Sequence, residues 1–439
     1  MEKQNPRVQL TIDGLNEKGY GLANDSGNKY QILNALPGET LKAEIFKRRK
    51  AIRYGVAENI ISPSSERTIP KSTCFLETSP WEIMKYAYEN SVKSDYLTRL
   101  IHEIYPKTVE VPVAYGDNDY HYRNKMEFSF YFDQDNRISF GFHKRDSKRG
   151  KVKTERSELL PTVVNTLLTE FLLFINNQNH PSNSLKGLVV RYSFYEQKVI
   201  LILFVKDPEF AHLAYSDFVD KSGIMKSIIV VYSDMRSPAF VESSTLFSKG
   251  ETTLTEKIGN LHLSYPYNSF FQVNPDVFGI CLKDINQYIT SLQDFIKLKV
   301  GEYYAGVGTI GLGISTNVAS VEAVELYSGS SLYAEVNAKQ NSITNYTLIE
   351  EKAENIADTI SKYDLVIFDP PRVGLHQKIL DALIKYVPKH IVYLSCNPKS
   401  QIENLRELSD RYTLKRYKGY NFYPKTPHME ALAILERHD

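Results

Sequence analysis

The sequence predicts an α/β protein in which a C-terminal doubly wound parallel sheet follows a small β-barrel and a central α+β domain. Three observations support this prediction. Short alternating strands with glycine turns fill residues 1–62, strands with helical interruptions fill 63–265, and strands and helices alternate over 266–439. Such alternation is typical of a parallel sheet with helices on both faces.

Composition narrows the class of protein before any motif is considered. The chain has 439 residues, 42% of them hydrophobic, a formal net charge of +1 and three cysteines. A near-neutral chain is no general polycation, so any affinity for nucleic acid must come from local basic patches. Three scattered cysteines fit a reducing cytosol better than a disulfide framework. The polar N-terminus lacks a signal-peptide core, and we expect a cytoplasmic protein.

The first region has the pattern of a small β-barrel. Residues 8–12 and 41–45 alternate between apolar and polar side chains, and several glycines separate the strand candidates between them. Short, evenly spaced strands with glycine turns are typical of such barrels. A dense basic cluster follows at 47–50 and at Arg53. It is either a solvated loop or the phosphate-contacting edge of an RNA-binding barrel.

The central region begins after a Ser/Pro-rich linker at 62–70, and helical periodicity follows over 81–105. A second basic stretch, 144–153, is either a mobile hairpin tip or a second RNA contact beside the first cluster. The other elements predicted here are two strands and one helix, at 126–131, 199–205 and 159–176. The run 199–205 is the longest apolar run and is far too short to span a bilayer.

The third region supplies the strands and helices of the parallel sheet. The predicted strands are 300–304, 320–324, 365–368 and 391–394. The predicted helices between them are 332–341 and 376–386. Ligands of such sheets bind at the carboxyl ends of the strands, so the motifs that follow these strands are the candidates for function.

A glycine-rich turn follows the first of these strands. Residues 303–311 contain Gly-x-Gly-x-x-Gly, and Glu325 ends the next strand candidate. The glycines let a ligand approach the backbone, and a carboxylate some 20 residues later can accept both ribose hydroxyls. Alone, the pattern fits a dinucleotide fold, an S-adenosylmethionine fold or a tight turn that binds nothing.

A second motif favours S-adenosylmethionine over a dinucleotide. A buried strand ends in Asp369-Pro370-Pro371-Arg372. The prolines stop the strand and hold the loop rigid, so Asp369 is expected to project over the carboxyl edge of the sheet beside the cofactor pocket. A hydride-transferring oxidoreductase has no evident need for this loop.

Cys396 follows the strand at 391–394, within Ser-Cys-Asn-Pro. Turns at strand ends are where α/β enzymes present reactive groups, so a thiol there is a candidate nucleophile. The alternative is an inert buried cysteine, which is common for this residue type. The polar, turn-like neighbours favour the nucleophile.

Six short sequence motifs resemble those of the RNA (uracil-5-)-methyltransferases that use S-adenosylmethionine, and they occur in the same order. They are Phe-Phe-Gln-Val-Asn-Pro at 270–275, Ala-Gly-Val-Gly-Thr at 305–309, Val-Glu at 324–325, Phe-Asp-Pro-Pro-Arg at 368–372, Leu-Ser-Cys-Asn-Pro at 394–398 and His-Met-Glu at 428–430. The resemblance spans nearly the whole chain. It implies a Rossmann-like methyltransferase domain at 266–439, a TRAM domain that binds RNA at 1–62 and a central RNA-binding domain at 63–265.

The resemblance also implies a mechanism. Cys396 adds to carbon 6 of uracil and makes carbon 5 nucleophilic, and Glu430 is the general base that removes the carbon 5 proton after methyl transfer. Because a free thiol has a pKa near ~8.5, we expect the site to lower the pKa of Cys396. Pro427 stands where many relatives have a second histidine, which leaves the role of His428 open.

By the same resemblance, one group of residues binds S-adenosylmethionine. In this numbering it comprises Gln272, Tyr304, Gly306, Gly308, Thr309, Glu325 and Asp369. Glu325 would take the ribose hydroxyls. Whether Asp369 contacts the cofactor, the uracil or both stays open.

The chain departs from many relatives in its cysteines. Those relatives hold an iron–sulfur cluster with four cysteines, and Cys74 stands where the first would be, but Pro80 and Ile83 occupy the next two places. Cys281 and Cys396 lie in another domain, so four ligands are lacking. We therefore predict no iron–sulfur cluster and no other metal.

The leading hypothesis is an enzyme that makes 5-methyluridine in RNA. A TRAM domain favours large-subunit ribosomal RNA, and the T-loop of transfer RNA is the alternative. A non-catalytic RNA-binding protein of the same fold and an NAD-dependent oxidoreductase are the competing classes. Because a base within folded RNA is out of reach, the target uridine must be flipped out or already lie in a loop.

Overall fold

The computed structural model describes residues 5–108, 110–135, 137–145, 150–178, 184–208, 215–238 and 240–438. Its strands form sheets of six, seven, two and eight strands. Of the predicted second basic stretch, 144–153, residues 146–149 lie outside the described residues.

The N-terminal region is a six-stranded sheet built from short alternating strands. These are β1 (Arg7–Thr11), β2 (Gly14–Leu15), β3 (Gly21–Asp25), β4 (Asn28–Leu33), β5 (Thr40–Arg49) and β6 (Ile52–Ser62). Their order is β1-β5-β6-β4-β3-β2, with β4 and β6 parallel. Leu41, Ala43 and Ile45 face one core because alternate residues of a strand point to the same side. The basic residues 47–50 are exposed at the β5–β6 turn.

A connecting segment follows, with α1 (Phe75–Thr78), α2 (Tyr86–His102) and the short strand β7 (Val113–Ala114). The helix predicted over 81–105 therefore begins five residues later than expected. The reason is the carboxylate of Glu82, which is 1% exposed and accepts hydrogen bonds from the backbone N–H groups of Lys71 and Ser72. These bonds hold the preceding segment in turns instead of a helix.

The middle region is a seven-stranded sheet with two helices on one face. Its elements are β8 (Lys125–Phe132), β9 (Ile138–His143), β10 (Lys151–Thr154), α3 (Thr162–Asn176), β11 (Leu185–Ser193), β12 (Lys198–Val205), α4 (Tyr215–Lys221), β13 (Met225–Tyr232) and β14 (Ser244–Gly250). The order is β10-β9-β8-β11-β12-β13-β14. Leu201 and Leu203 pack with the helices, whereas Ile200 and Ile202 join the core shared with the C-terminal region.

A hairpin of β15 (Thr253–Ile258) and β16 (Leu261–Pro266) leads into the C-terminal region. That region contains α5 (Pro275–Ser291), β17 (Lys299–Tyr303), α6 (Thr309–Ile314), β18 (Ser320–Glu325), α7 (Ser328–Gln340), β19 (Tyr346–Glu350), β20 (Leu365–Phe368), α8 (Gln377–Tyr386), β21 (His390–Ser395), α9 (Pro398–Leu408), β22 (Tyr412–Tyr420) and β23 (Glu430–Arg437).

The C-terminal strands form an eight-stranded sheet in the order β19-β18-β17-β20-β21-β23-β22-β7. The first five strands are parallel, and β23 is antiparallel to both of its neighbours. From β17 the chain adds strands in one direction as far as β19 and then returns to place β20 on the other side of β17. Such a switch point opens a crevice at the carboxyl ends of the strands.

The last strand of this sheet comes from far upstream in the chain. β7 pairs with β22 in parallel, and Leu97 and Ile101 of α2 belong to the core of the C-terminal region. Part of the range predicted as the central domain therefore packs with the C-terminal sheet, while the boundaries at 62/63 and 265/266 stay predictions. Among the described helices, none combines the length and apolarity that a bilayer-spanning segment requires.

Candidate active site at the switch point of the C-terminal sheet

A cavity of about 560 Å³ opens at the switch point. Its walls come from the ends of β17, β18, β20 and β21, the start of β23 and the segment before α5. The predicted site residues that line it are Gln272, Tyr304, Gly306, Thr309, Glu325, Asp369, Cys396 and Glu430. Gly308 is the N-cap residue of α6 and does not itself line the cavity.

The glycine-rich turn between β17 and α6 forms one wall. The backbone φ is 57° at Gly306 and 82° at Gly308, in the left-handed region that glycine occupies without strain. A Cβ atom at Gly308 would lie 2.8 Å from the Tyr346 hydroxyl oxygen, so a side chain there would collide. Tyr304 adopts a φ of 66°, which is uncommon for a residue with a side chain and is found preferentially at functional sites.

Glu325, at the end of β18, binds this turn to the next strand. Its Oε2 accepts a hydrogen bond from the Gly306 N–H at 2.8 Å, and its Oε1 accepts one from the Tyr327 N–H at 2.8 Å. Each carboxylate oxygen can accept two hydrogen bonds. Both oxygens therefore retain capacity for hydroxyl donors of a ligand.

Gln272 reaches the cavity from the segment that precedes α5. Asn274 caps this helix by accepting a hydrogen bond from the Val277 N–H at 3.3 Å, and Pro275 occupies the first turn. Gln272 is 6% exposed, and its Nε2 lies 3.5 Å from Oδ2 of Asp369. Its Oε1 has no hydrogen-bond partner among the described residues, a costly state for a buried polar atom that a ligand donor would relieve.

Cys396 lies on the turn between β21 and α9, as the sequence predicts. The Asn397 side-chain amide donates to the Arg372 carbonyl at 2.8 Å and so fastens this turn to the Pro-Pro loop that follows β20. Cys396 is partly exposed, whereas Cys74 and Cys281 are buried. Of the three thiols, Cys396 is the one that a substrate can reach.

The pKa of Cys396 is raised, not lowered. Burial, and then the nearby carboxyl groups of Glu430 and Asp369, raise it to about 11, with Arg372 opposing them. The prediction of a lowered thiol pKa is therefore wrong for this arrangement of residues, because removal from water and neighbouring acids both disfavour a thiolate. Formation of the thiolate requires a base that takes its proton.

Two carboxyl groups line the same cavity. Burial raises the pKa of Asp369 to about 7, and burial followed by the charge of Asp369 raises the pKa of Glu430 well above its ordinary value. Glu430 is 3% exposed, and its Oε1 accepts a hydrogen bond from the Tyr423 hydroxyl at 3.4 Å. Within the described part of the chain its Oε2 has no partner. Ionising both acids together is unfavourable, so the pair retains a proton near neutral pH.

Glu302, on β17, lines the cavity but was not among the predicted site residues. It is 2% exposed, its pKa is raised to about 8 chiefly by burial, and its Oε1 accepts a hydrogen bond from the Gly311 N–H at 2.9 Å. No described residue bonds to its Oε2. An acid inside a buried strand, just before the glycine turn, was the available signal in the sequence.

Two further residues discussed in the sequence lie away from the cavity. His428 is exposed and does not line it. Cys74 is buried, and its Sγ lies 3.2 Å from the Ser72 hydroxyl oxygen. The described residues contain no group of three or more His, Cys, Asp or Glu side chains that could hold a metal ion.

This geometry combines a nucleophile with proton acceptors. A partly exposed thiol and two acids of raised pKa line one cavity. The glycine-rich turn lies beside them, with Glu325, whose carboxylate can accept ligand hydroxyls. Such a site can form a covalent bond to a substrate, move its protons and hold a second ligand close by.

Comparison with known proteins identifies the family of the chain. A sequence model of the tRNA (uracil-5-)-methyltransferase family matches residues 85–438. An uncharacterized RNA methyltransferase of Enterococcus faecalis is 26% identical over 99% of this chain and 98% of that protein. A second uncharacterized RNA methyltransferase, from Clostridium tetani, is 25% identical over 99% of this chain and 97% of that protein.

Among solved structures, the tRNA (uracil-54, C5)-methyltransferase of Pyrococcus abyssi, in complex with S-adenosyl-L-homocysteine, matches with a TM-score of 0.77 and 21% identity. The match covers 98% of this chain and 100% of that one, and it confirms the predicted fold class. The family match spans the glycine turn, the Pro-Pro loop and the cysteine turn, and it confirms the resemblance found in the six sequence motifs. The chain belongs to the tRNA (uracil-5-)-methyltransferase family and is an RNA (uracil-5-)-methyltransferase.

Proposed function

We propose that this protein methylates carbon 5 of a uracil in RNA, with S-adenosylmethionine as methyl donor and Cys396 as covalent nucleophile. The observation that supports this mechanism is the meeting, in one cavity, of a partly exposed thiol and two carboxyl groups of raised pKa. The family supports uracil as the substrate base.

The glycine-turn side of the cavity suits S-adenosylmethionine, which supplies an electrophilic methyl group on a sulfonium. Glu325 keeps acceptor capacity for two ribose hydroxyls, and Gln272 offers a buried carbonyl oxygen without a donor among the described residues. A ligand can approach the backbone at Gly306, where even a Cβ atom would meet nothing within 4 Å. We assign the cofactor to these residues together with Tyr304, Gly308, Thr309 and Asp369.

Uracil carbon 5 becomes nucleophilic through Cys396. The thiol loses its proton and Sγ bonds to carbon 6, while the electron pair of the carbon 5–carbon 6 double bond moves into an enolate over carbon 5 and O4. Carbon 5 then takes the methyl group, and the sulfonium becomes a neutral thioether. Glu430 removes the carbon 5 proton, the C–H pair re-forms the double bond, and the carbon 6–Sγ bond breaks with its pair returning to sulfur.

The pKa shifts support this division of roles. A thiol with a pKa of about 11 keeps its proton at neutral pH, so addition to uracil must be coupled to proton loss. Asp369, with a pKa of about 7, is a suitable acceptor at that pH. Burial raises the pKa of Glu430 well above its ordinary value, so the reacting enzyme is the fraction in which Glu430 is ionised, and that form binds the carbon 5 proton more strongly than an exposed carboxylate would.

We further propose that the N-terminal sheet is a TRAM domain and that RNA contacts both basic stretches. The residues at 47–50 are exposed. Arg145, from the second stretch, donates to the Lys18 carbonyl at 3.3 Å, and its guanidinium carbon lies 5.8 Å from the centre of the Tyr20 ring. The second stretch therefore touches the loop between β2 and β3, and the two stretches can neutralise phosphates of one RNA.

Two RNAs are candidates for the target. The N-terminal domain favours large-subunit ribosomal RNA. Transfer RNA is the second candidate, since the Pyrococcus abyssi protein is a transfer-RNA uracil-54 methyltransferase. Sequencing that maps 5-methyluridine in cellular RNA, with and without this protein, decides between them: the position lost with the protein identifies the target.

Transcripts of both RNAs that contain 5-fluorouridine test the mechanism. Fluorine cannot leave carbon 5 as a proton does, so wild-type protein with S-adenosylmethionine should accumulate a protein–RNA adduct that survives denaturant. Cys396→Ala should form none, and Cys281→Ala, which removes a buried thiol of α5, should behave as wild type. No adduct with wild type, or an equal yield with Cys396→Ala, contradicts covalent catalysis.

A further inference from the structure

A second cavity, of about 430 Å³, opens on the middle sheet. Its apolar wall is formed by Val189 of β11, Ile202 and Phe204 of β12, and Phe240, whose ring meets that of Phe204 edge-on at 5.5 Å between centroids. The first three residues belong to the core shared with the C-terminal region, so this face of the sheet looks toward the active site. We call this cavity, defined by these four residues, the sheet pocket.

The sheet pocket is continuous with the active-site cavity. Tyr327 lines both of them. A third cavity, of about 530 Å³, also joins them. It shares Lys125, Glu127, Arg191 and Asn268 with the sheet pocket, and Phe270, Phe271, Arg372 and Tyr423 with the active-site cavity. One groove therefore runs from the thiol to the middle sheet.

Charged groups of both signs line the sheet pocket. Glu127 accepts one ion pair, from Lys125 Nζ at 2.8 Å, and keeps further acceptor capacity. Glu242 accepts the Tyr267 hydroxyl at 2.9 Å. Arg191 is 5% exposed, and its Nε has no hydrogen-bond partner among the described residues. A buried guanidinium with an unmet donor is costly and indicates a missing acceptor.

This chemistry suits a base and not a phosphate chain. Two acids and two cations give the pocket no excess of positive charge, unlike the exposed stretch at 47–50. Carboxylates accept the amino groups of cytosine, adenine or guanine, whereas uracil has no amino group to donate. Arg191 can donate to a ring nitrogen or carbonyl, and Phe204 and Phe240 offer apolar contact to the ring. The volume lies within the range of about 300–1,000 Å³ of small-molecule pockets.

We propose that the sheet pocket binds a second nucleobase of the substrate RNA, one that carries an amino group and lies near the target uridine in the same strand. The inference rests on the proposed function for the presence of RNA in the groove. It makes the middle domain a determinant of which uridine is methylated. Selection occurs in binding, since the pocket holds none of the residues that form or break bonds.

The test is a binding experiment on the full chain with Cys396→Ala, which separates selection from chemistry. The probe is a short RNA around the methylated uridine found by mapping, with each neighbouring nucleotide replaced in turn by an abasic ribose. We expect one position at which loss of the base weakens Kd about tenfold. Replacement of that base by uracil should also weaken binding.

Acid-to-amide variants assign this selectivity to the pocket. Glu127→Gln, at an exposed position that leaves the core intact, should reduce the tenfold ratio to about threefold or less, and Glu242→Gln should act in the same direction. Glu170→Gln, at an exposed position of α3, is the matched control and should keep the ratio. Equal Kd values at every abasic position, or a ratio unchanged in both pocket variants, overturn the inference. Selective binding without methylation by the wild type would instead refute the proposed function.

Discussion

Two sets of buried acids in this protein differ in how completely they are bonded. The supporting carboxylates are Glu39, just before β5, Glu82, just before α2, and Glu89, within α2, and all three are at most 1% exposed. The site carboxylates, Glu302, Asp369 and Glu430, line the active-site cavity. Both sets are largely removed from water, but only in the first does each acid have described partners for both carboxylate oxygens.

Glu39 illustrates the supporting set. It accepts the Arg67 guanidinium through two N–H groups, the nearer Nε at 2.5 Å, and the backbone N–H groups of Leu36 and Ser64. Burial alone would raise the pKa of Glu39, but these donors outweigh it, so the pKa is lowered. This acid is ionised at neutral pH and fixes the architecture around it.

Glu89 connects two distant parts of the fold in the same way. It accepts Lys93 Nζ at 2.8 Å, the Asn421 amide at 2.9 Å and the Lys425 N–H at 3.0 Å. Asn421 and Lys425 belong to the loop between β22 and β23, so these bonds hold the segment that leads into Glu430. Glu89, whose two carboxylate oxygens both accept hydrogen bonds, therefore helps to position Glu430, one of whose oxygens has no partner among the described residues.

The contrast separates structural acids from acids that await a ligand. Glu302 and Glu430 each leave one buried oxygen without a partner among the described residues, and Asp369 has a single long contact, with Gln272 at 3.5 Å. The pKa values of these three site acids are raised, whereas that of Glu39 is lowered. Burial acts to raise the pKa of Glu39 and of the site acids alike, and the donors around Glu39 reverse the direction of its shift.

The largest expected effect is on the rate when a site acid is replaced. Glu430→Gln should lower turnover by about 10²–10⁴-fold, because it removes the acceptor of the carbon 5 proton and leaves the fold intact. The covalent adduct should then accumulate with ordinary RNA, as seen in a denaturing gel. Glu403→Gln, on the exposed face of α9, serves as control and should turn over normally. Fast turnover of Glu430→Gln would falsify its role as the base.

The next effect is on stability when a supporting acid is replaced. Glu39→Gln leaves the Arg67 guanidinium, whose side chain is 15% exposed, without its charge partner, and should lower the free energy of unfolding by about 3 kcal/mol. Denaturant unfolding measures this, and activity per folded molecule should stay within about twofold. Glu58→Gln, which breaks the exposed pair with Arg7, should change stability far less. Comparable losses of unfolding free energy in both variants would mean that the donors around Glu39 contribute no more to stability than an exposed ion pair does.

The smallest effect is on the pH dependence of stability. The pKa of Glu302 rises from an ordinary 4.5 to about 8 in the folded protein, so its contribution is full below pH 4.5 and is lost as the pH rises toward 8. Glu302→Gln mimics the protonated form and removes this loss. Between pH 5 and pH 8 the melting temperature of the wild type should therefore fall by about 3 °C more than that of the variant. An equal change of melting temperature with pH in the wild type and in Glu302→Gln would contradict the raised pKa. The control Glu335→Gln, at an exposed position of α7, should show the same pH dependence as the wild type.

Sequence reasoning succeeded where the signal is local. The strand predicted at 365–368 is observed as β20 (Leu365–Phe368), because a short apolar run that stops at two prolines leaves few alternatives. Apart from Gln272, which precedes α5, the predicted site residues that line the cavity end, follow or begin a strand of the same sheet. Strand-end motifs are brought together by topology, so their separation in the chain does not matter.

Sequence reasoning failed where the signal depends on distant partners. β7 has two residues and no periodicity, and it exists only because β22 offers an open edge. The raised pKa of Cys396 depends on Glu430, thirty-four positions downstream, and on the depth of the cavity. The sheet pocket is likewise lined by residues of six separate segments, none of which carries a recognisable motif.

The position of α2 and β7 has a consequence for the time course of synthesis. Lys93 is buried and bonds to Asn421, which lies 328 positions downstream. Because a ribosome adds about 5–20 residues per second, Asn421 is synthesised roughly 15–65 s after Lys93. The N-terminal and middle sheets have all their strands long before then. The surfaces proposed to bind RNA can therefore form on the nascent chain before the methyltransferase sheet is complete. The edge strand β7 of that sheet is made early and pairs only after β22 has been synthesised.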